Sequence, residues 1–172
     1  MRHPINVDRV ERYELINLAE PTNNMGLEFL ATWRKSPFSA TASYTYVRSR
    51  EFESGGRVDT PLTPRQSFGL VGVWEKEKVG RIGVESYYTG HQRLENNPYR
   101  AESKAYVLFG ALAEHSFGHI RLFVNVENLG NVKQTTWDPL LRPNQGVDGR
   151  WTVDAWAPLD GRVLNGGIRL KF

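Results

Sequence analysis

Two histidines and four aspartates are the residues of this chain whose types and spacing could hold a metal ion or move a proton. His115 and His119 stand one helical turn apart in sequence, which brings two imidazoles together only on a helix face. Between them lies Ser116-Phe117-Gly118, a tight-turn sequence, so the pair reads as flanking a solvated hairpin. Asp138, Asp148, Asp154 and Asp160 fall in one long segment. A calcium loop needs densely alternating carboxylates, and that spacing does not occur here. These four read as solvated loop carboxylates. No nucleophile elbow, Walker loop, zinc-protease helix or dinucleotide fingerprint is present. The expectation is a chain that is not an enzyme and needs no metal or cofactor.

The elements that must carry these residues are strands. The chain has 172 residues, enough for one domain or for part of a larger one. Its mean hydropathy is −0.50, and no run of 18 or more apolar residues exists, which excludes a membrane-spanning helix. A β-barrel is not excluded, because only alternate residues of its strands face lipid. Aromatic residues make up 12%, with five Trp and seven Tyr, a composition that suits interfacial girdles. Net charge is +3, from 22 basic and 19 acidic residues. The arginines are scattered singly, without a basic cluster interleaved with aromatics, so no nucleic-acid partner is expected. There is no cysteine, hence no disulfide scaffold and no thiolate chemistry.

Period-two alternation predicts eight strands, over 10–19, 26–35, 38–48, 65–75, 80–89, 105–115, 119–127 and 163–172. In 26–35, Leu27, Phe29, Ala31 and Trp33 oppose Glu28, Leu30, Thr32 and Arg34. In 38–48, Phe38, Ala40, Ala42, Tyr44 and Tyr46 oppose Ser39, Thr41, Ser43 and Thr45, a pattern a helix cannot use. Segment 105–115 is apolar on both sides and its facing stays open. In the last strand Leu164, Ile168, Leu170 and Phe172 share one face, and Asn165, Arg169 and Lys171 the other.

Connection lengths alternate. Residues 35–37, 75–80 and 116–118 make short links, while 51–64, 90–104 and 128–160 are long. Every long link then falls at one end of an up-and-down sheet, as in outer-membrane barrels with short periplasmic turns and longer extracellular loops. Trp33, Tyr44, Tyr46, Trp74 and Tyr88 sit near strand ends on the apolar face, as a girdle would or as a sandwich core would.

Several stretches resemble one family. Phe123-Val124-Asn125-Val126-Glu127-Asn128-Leu129-Gly130-Asn131 is similar to the F-x-N-x-x-N-L-x-(D/N) stretch of TonB-dependent outer-membrane receptors. Pro158-Leu159-Asp160-Gly161-Arg162 resembles their P-x-x-G-R entry to the final strand, and the chain ends on Phe172 as they do. Gly26-Leu27-Glu28, the Tyr44-Thr45-Tyr46 strand and Pro61-Leu62-Thr63-Pro64-Arg65 resemble further strand starts and loop exits of the family.

The resemblance implies an all-β fold: the C-terminal part, about eight strands, of an antiparallel up-and-down transmembrane β-barrel of 22 strands with a plugged lumen. Residues 1–172 would be a partial barrel domain with its long extracellular loop at about 128–160. The N-terminus shows no apolar signal-peptide core, and the N-terminal plug that meets the TonB complex is missing, so a fragment is expected. The implied function is energised uptake of a scarce ligand across the outer membrane of a Gram-negative cell: a ferric siderophore, haem, cobalamin or a glycan. Implied partners are outer-membrane lipid, the barrel-assembly machinery, TonB through the missing plug, and a small-molecule or metal-chelate ligand. Trp137, Arg142, Arg150, Trp151 and Trp156 are the candidate ligand contacts, because aromatics and arginines suit an anionic chelate or a sugar. Phe172 is the candidate assembly signal. The alternatives are a self-contained eight-stranded outer-membrane barrel with a structural or adhesive role, and a soluble β-sandwich binding module.

Overall fold

The computed structural model describes residues 5–9, 13–17, 20–53 and 55–170. Ten strands appear in chain order: β1 (Ile5–Arg9), β2 (Tyr13–Asn17), β3 (Asn23–Lys35), β4 (Phe38–Glu53), β5 (Gly56–Asp59), β6 (Gln66–Lys76), β7 (Gly80–Thr89), β8 (Tyr106–Phe117), β9 (Ile120–Glu127) and β10 (Val163–Leu170). Eight of them form one antiparallel sheet in the order β10-β9-β8-β7-β6-β4-β3, with β5 paired to the end of β4. Neighbours in sequence are neighbours in space, as an up-and-down sheet requires.

Two expectations need correction. The strand expected over 10–19 does not join this sheet: Tyr13–Asn17 pairs with Ile5–Arg9 in a separate two-stranded sheet. The eighth strand of the main sheet is instead β5, inside the expected loop 51–64, where Arg50 to Glu53 pair with Asp59 back to Gly56. The alternation of 38–48 simply runs on to Glu53, beyond the point where charge in Arg48, Arg50 and Glu51 hides it. The expected assembly residue, Phe172, lies outside the described residues.

Register decides the faces. Residues directly opposite in an antiparallel ladder project to the same side, so one row can be followed across the sheet. Phe29 faces Tyr44, Tyr44 faces Phe68, Phe68 faces Tyr88 and Tyr88 faces Val107. Four residues toward the short turns, Trp33 faces Ala40, then Gly72, Val84, Ala111, Val126 and Leu164 follow. Beyond it, Phe38, Trp74, Ile82, Ala113 and Val124 form the next row. One face is therefore apolar from edge to edge, with small residues across its middle and aromatics toward both ends. The same pairings settle the facing of β8: Val107, Phe109, Ala111 and Ala113 lie on the apolar side, and Leu108, Leu112 and Glu114 on the other. His115 falls on the apolar side too, edge-on to Phe117 with ring centroids 4.3 Å apart, rather than in the solvated turn.

The opposite face is mixed and carries the sheet's polar pairs. Thr32 and Thr41 Oγ1 atoms lie 3.3 Å apart. Arg81 Nη2 donates to Glu75 Oε1 at 3.0 Å, and Arg121 Nη1 is 3.2 Å from Glu114 Oε1. These are cross-strand pairs on one wall. Large apolar side chains of the other wall stay uncovered: Leu27, Trp33, Ile82, Val84 and Ile168 are each more than half exposed. A β-sandwich would bury that face under a second sheet, and among the described residues no second sheet covers it. The fully buried apolar side chains, Leu94, Val153, Trp156 and Ala157, all lie in the long connections.

One turn depends on a single residue. Gly80 opens β7 at φ +153°, and a Cβ there would overlap the carbonyl oxygen of Glu114 on β8. Gly118, at φ +59° in the β8–β9 turn, has open space around it. Replacing Gly80 with Ala is expected to cost about 3 kcal/mol, and Gly118→Ala only about 1 kcal/mol. Urea unfolding of the protein refolded in lipid vesicles measures both, and equal losses would contradict this register.

Candidate functional site: the loop cluster

The long connections at one end of the sheet fold against each other. The neck of the last one is built by short polar side chains. Asn128 takes a positive φ, which Asn tolerates. Its Oδ1 accepts from Val132 N and its Nδ2 donates to Val132 O, both at 2.8 Å. Asn131 Oδ1 accepts from Arg162 N at 3.1 Å. The Arg162 guanidinium donates back to Leu129 O, from Nε at 3.0 Å and Nη2 at 2.6 Å. Gly161 is required beside it, since a Cβ would overlap Asn131 Oδ1. The Asn-Leu-x-Asn and Gly-Arg motifs thus form one clasp that closes the base of the loop.

Inside the loop, Gln134 is the hub. It sits in a single 3-10 turn, Gln134–Thr136, and is fully buried. Its Nε2 donates to Asp154 O at 3.0 Å, and its Oε1 accepts from Trp156 N at 2.8 Å and Ala157 N at 3.3 Å. Its own N–H reaches Pro158 O. Buried polar groups persist only when paired in this way. The connection between β7 and β8 docks on this hub: Gln92 Nε2 donates to Trp156 O at 3.0 Å. Leu94, Trp156 and Ala157 form a small core, with Tyr106 and Trp137 against it.

The five sequence-derived contacts separate into two groups. Trp156 is buried and stacks on Trp137 with ring centroids 5.3 Å apart. Arg100 lies over Trp156 and Lys104 over Trp137, each within 6 Å of the ring. Arg142 has only 3% of its side chain exposed and pairs with Asp148 at 3.1 Å. These three residues hold the loops together. Trp151 and Arg150 remain accessible: Trp151 is 56% exposed and Arg150 38%. They adjoin the hairpin-like excursion closed by the Leu141–Thr152 bridge, which carries the exposed Leu141 and Val147.

Asp160 is exposed, as expected for a solvated loop carboxylate, but the other three carboxylates are engaged by arginines. Asp138 is buried and bound by Arg100, whose Nη2 and Nε each lie 2.6 Å from one of its oxygens. Asp148 and Asp154 both engage Arg150, at 2.6 and 2.5 Å. Hydrogen bonds from Arg150 hold the Asp148 carboxyl below the usual carboxylate range. Arg150 is raised in turn, first by Asp154 and then by Asp148. Among the described residues no three acidic, histidine or cysteine side chains converge on one point. The Arg100–Asp138 pairing spans two loops, and the pairings of Asp148 with Arg142 and Arg150 lie within one loop, where no regular element gives the spacing a meaning. Gln92, Arg100 and Gln134 went unremarked for the same reason.

This two-faced sheet with folded connections at one end has known counterparts. A family model described as TonB dependent receptor-like, beta-barrel matches residues 3–129. The chain belongs to this family. TonB-dependent receptors are outer-membrane proteins, and two solved receptor structures are similar to this chain. One is the ferric-catecholate import receptor Fiu of E. coli K12 in its closed form: 13% identity, TM-score 0.62, covering 96% of this chain and 23% of that one. Another is a mutant of the ferric enterobactin receptor PfeA of Pseudomonas aeruginosa: 16% identity, TM-score 0.65, covering 93% of this chain and 24% of that one. The chain therefore spans about a quarter of the receptors it matches, and it shares their barrel fold. A comparison with curated protein sequences found no match.

Replacing Gln134 with Ala leaves two buried N–H groups and one carbonyl without partners, at about 1–3 kcal/mol each. Residues 131–160 are then expected to lose amide-exchange protection while β6 to β9 keep theirs. Unchanged protection in the loop would remove Gln134 from its place as hub.

Proposed function

We propose that this chain is the C-terminal wall and part of the ligand-binding end of an outer-membrane receptor for TonB-dependent uptake. The long connections lie outside the cell, and the ligand is a scarce metal chelate of the ferric siderophore class. Residues 1–172 act as part of the barrel domain. Coupling to TonB runs through a plug carried by the rest of the receptor. The observation that carries this reading is the folded loop cluster at one end of a family barrel wall, with an exposed tryptophan and arginine on a rigid support. Such loops position function on a fixed scaffold. The ferric ligands named for the two structural neighbours, a ferric catecholate and ferric enterobactin, support the chelate over haem, cobalamin or a glycan.

Trp151 and Arg150 are the proposed contacts, a flat apolar surface beside a cation for an anionic aromatic chelate. Trp137, Arg142 and Trp156 keep that pair in place. The self-contained small barrel is the weaker reading, because β3 and β10 are the edges of the sheet and do not pair with each other among the described residues.

The test begins with the native product, isolated from outer membranes. A mass several times 19.6 kDa is expected, and a mass near that value would favour the small barrel. In a receptor-deficient Gram-negative host, the native receptor is expected to restore uptake of an iron-catechol chelate. Trp151→Ala is expected to weaken chelate binding about tenfold, in line with losing one aromatic contact. Uptake of haem or a glycan in place of the chelate would sink the ligand assignment.

The terminal Phe172 is proposed as a signal read by the barrel-assembly machinery. Its deletion is expected to cut the yield of receptor in the outer membrane several-fold, measured by fractionation and heat-modifiable mobility. An unchanged yield would dismiss that role.

A further inference from the structure

The apolar face of β4 changes character beyond its aromatic rows. Tyr44 and Tyr46 are followed on the same side by Arg48, Arg50 and Phe52, because the β3–β4 ladder continues without a break from Leu27–Tyr46 to Asn23–Arg50. The β4–β5 pairing of Arg50 with Asp59 and of Phe52 with Arg57 puts Arg57 on that side as well. Arg65 joins them by binding the Asp59 carboxylate, which Arg50 Nε also reaches at 3.4 Å. Arg48, Arg50 and Arg57 thus share one side of the hairpin, Arg50 and Arg65 hold Asp59, and Asp59, Arg65 and Glu102 line an adjoining cleft of about 260 Å³. The opposite side of the same hairpin is acidic: Glu51 and Glu53 lie there and take up Arg93. Charge is sorted across the hairpin, basic outward and acidic inward.

Height matters as much as sign. At a strand rise of about 3.4 Å per residue, Arg48 stands about 7 Å beyond Tyr46, and Arg50 about twice that. Tyrosines on a lipid-facing wall mark the boundary of the hydrocarbon. The arginines therefore stand where lipid headgroups begin.

We propose that this outward arginine face binds the phosphate groups of membrane lipids in the leaflet at the long-loop end, an inference that rests on the outer-membrane reading above. Guanidinium forks match phosphate oxygens two at a time. Arg50 and Arg65 are tied to Asp59 and shape the face. Arg48 and Arg57 form no ion pair among the described residues and are the groups left to take phosphate. Their replacement leaves the hairpin's own ties intact.

The native receptor, purified from outer membranes, is exchanged into phosphatidylcholine micelles doped with phosphatidic acid. Lipid retained on the protein is then read by native mass spectrometry. Retention of phosphatidic acid over phosphatidylcholine is expected, falling about tenfold or more in the R48A/R57A double variant. The R48K/R57K variant keeps only part of it, because the charge stays while the two-pronged fork is lost. Alanine variants that retain as much phosphatidic acid as the wild type would overturn the proposal, as would a membrane-embedded receptor with no preference between the two lipids. A native protein found in no outer-membrane fraction would overturn the parent reading first, before any lipid is added.

Discussion

The antiparallel ladders of this sheet run from β3 to β10 in one continuous register, and every other feature depends on that continuity. Side chains alternate with a period of two, so a slip of one residue in any ladder would move a whole strand's apolar set to the wrong wall. The rows that begin at Phe29 and Trp33 survive successive pairings without such a slip. Small residues in the middle of the wall and aromatics toward its ends follow from this. So do the ion pairs on the polar side, where Arg81 stands directly opposite Glu75 and Arg121 reaches Glu114 on the diagonal between neighbouring strands. In hydrocarbon the backbone must also find all its partners within protein, which is why the ladders extend nearly the full length of β3, β6 and β7.

Most of the wall was legible in the sequence because it depends on a local pattern. Seven of the expected strands match observed ones within a few residues, and the alternation of short and long links gave the up-and-down order. Two things were not legible. Segment 105–115 is apolar on both sides, so its facing is fixed only by its partners β7 and β9. Strand β5 is four residues long, Gly56–Asp59, and rich in charge, so no apolar alternation marks it. It exists because β4 continues far enough to offer it an edge.

The loop cluster was legible only at its base. The motif asparagines and Gly161-Arg162 could be picked out as a pattern, and the structure supplies their physics: a clasp of side-chain to backbone hydrogen bonds. The interior was not legible, because Gln92, Arg100 and Asp138 act through contacts between separate loops and Gln134 through backbone groups some twenty residues further along its own. The tryptophans and arginines of the loop look alike in sequence. Burial sorts them: Trp156 and Arg142 face inward and are satisfied by neighbours, whereas Trp151 faces out.

The bond from Gln92 to the carbonyl of Trp156 joins two segments with the whole of β8 and β9 between them in the chain. A contact of such long sequence separation closes a large loop, and that closure is entropically costly until the intervening chain is ordered. The strands between them must therefore be laid side by side before the small tryptophan core can come together. The order of assembly is written into the connectivity: wall first, then clasp, then core. A barrel halted at β8 would carry the β7–β8 connection tied through Arg93 to Glu51 and Glu53 but without its Trp156 partner, so the complete loop cluster is a late product of folding and a marker that the wall beneath it is finished.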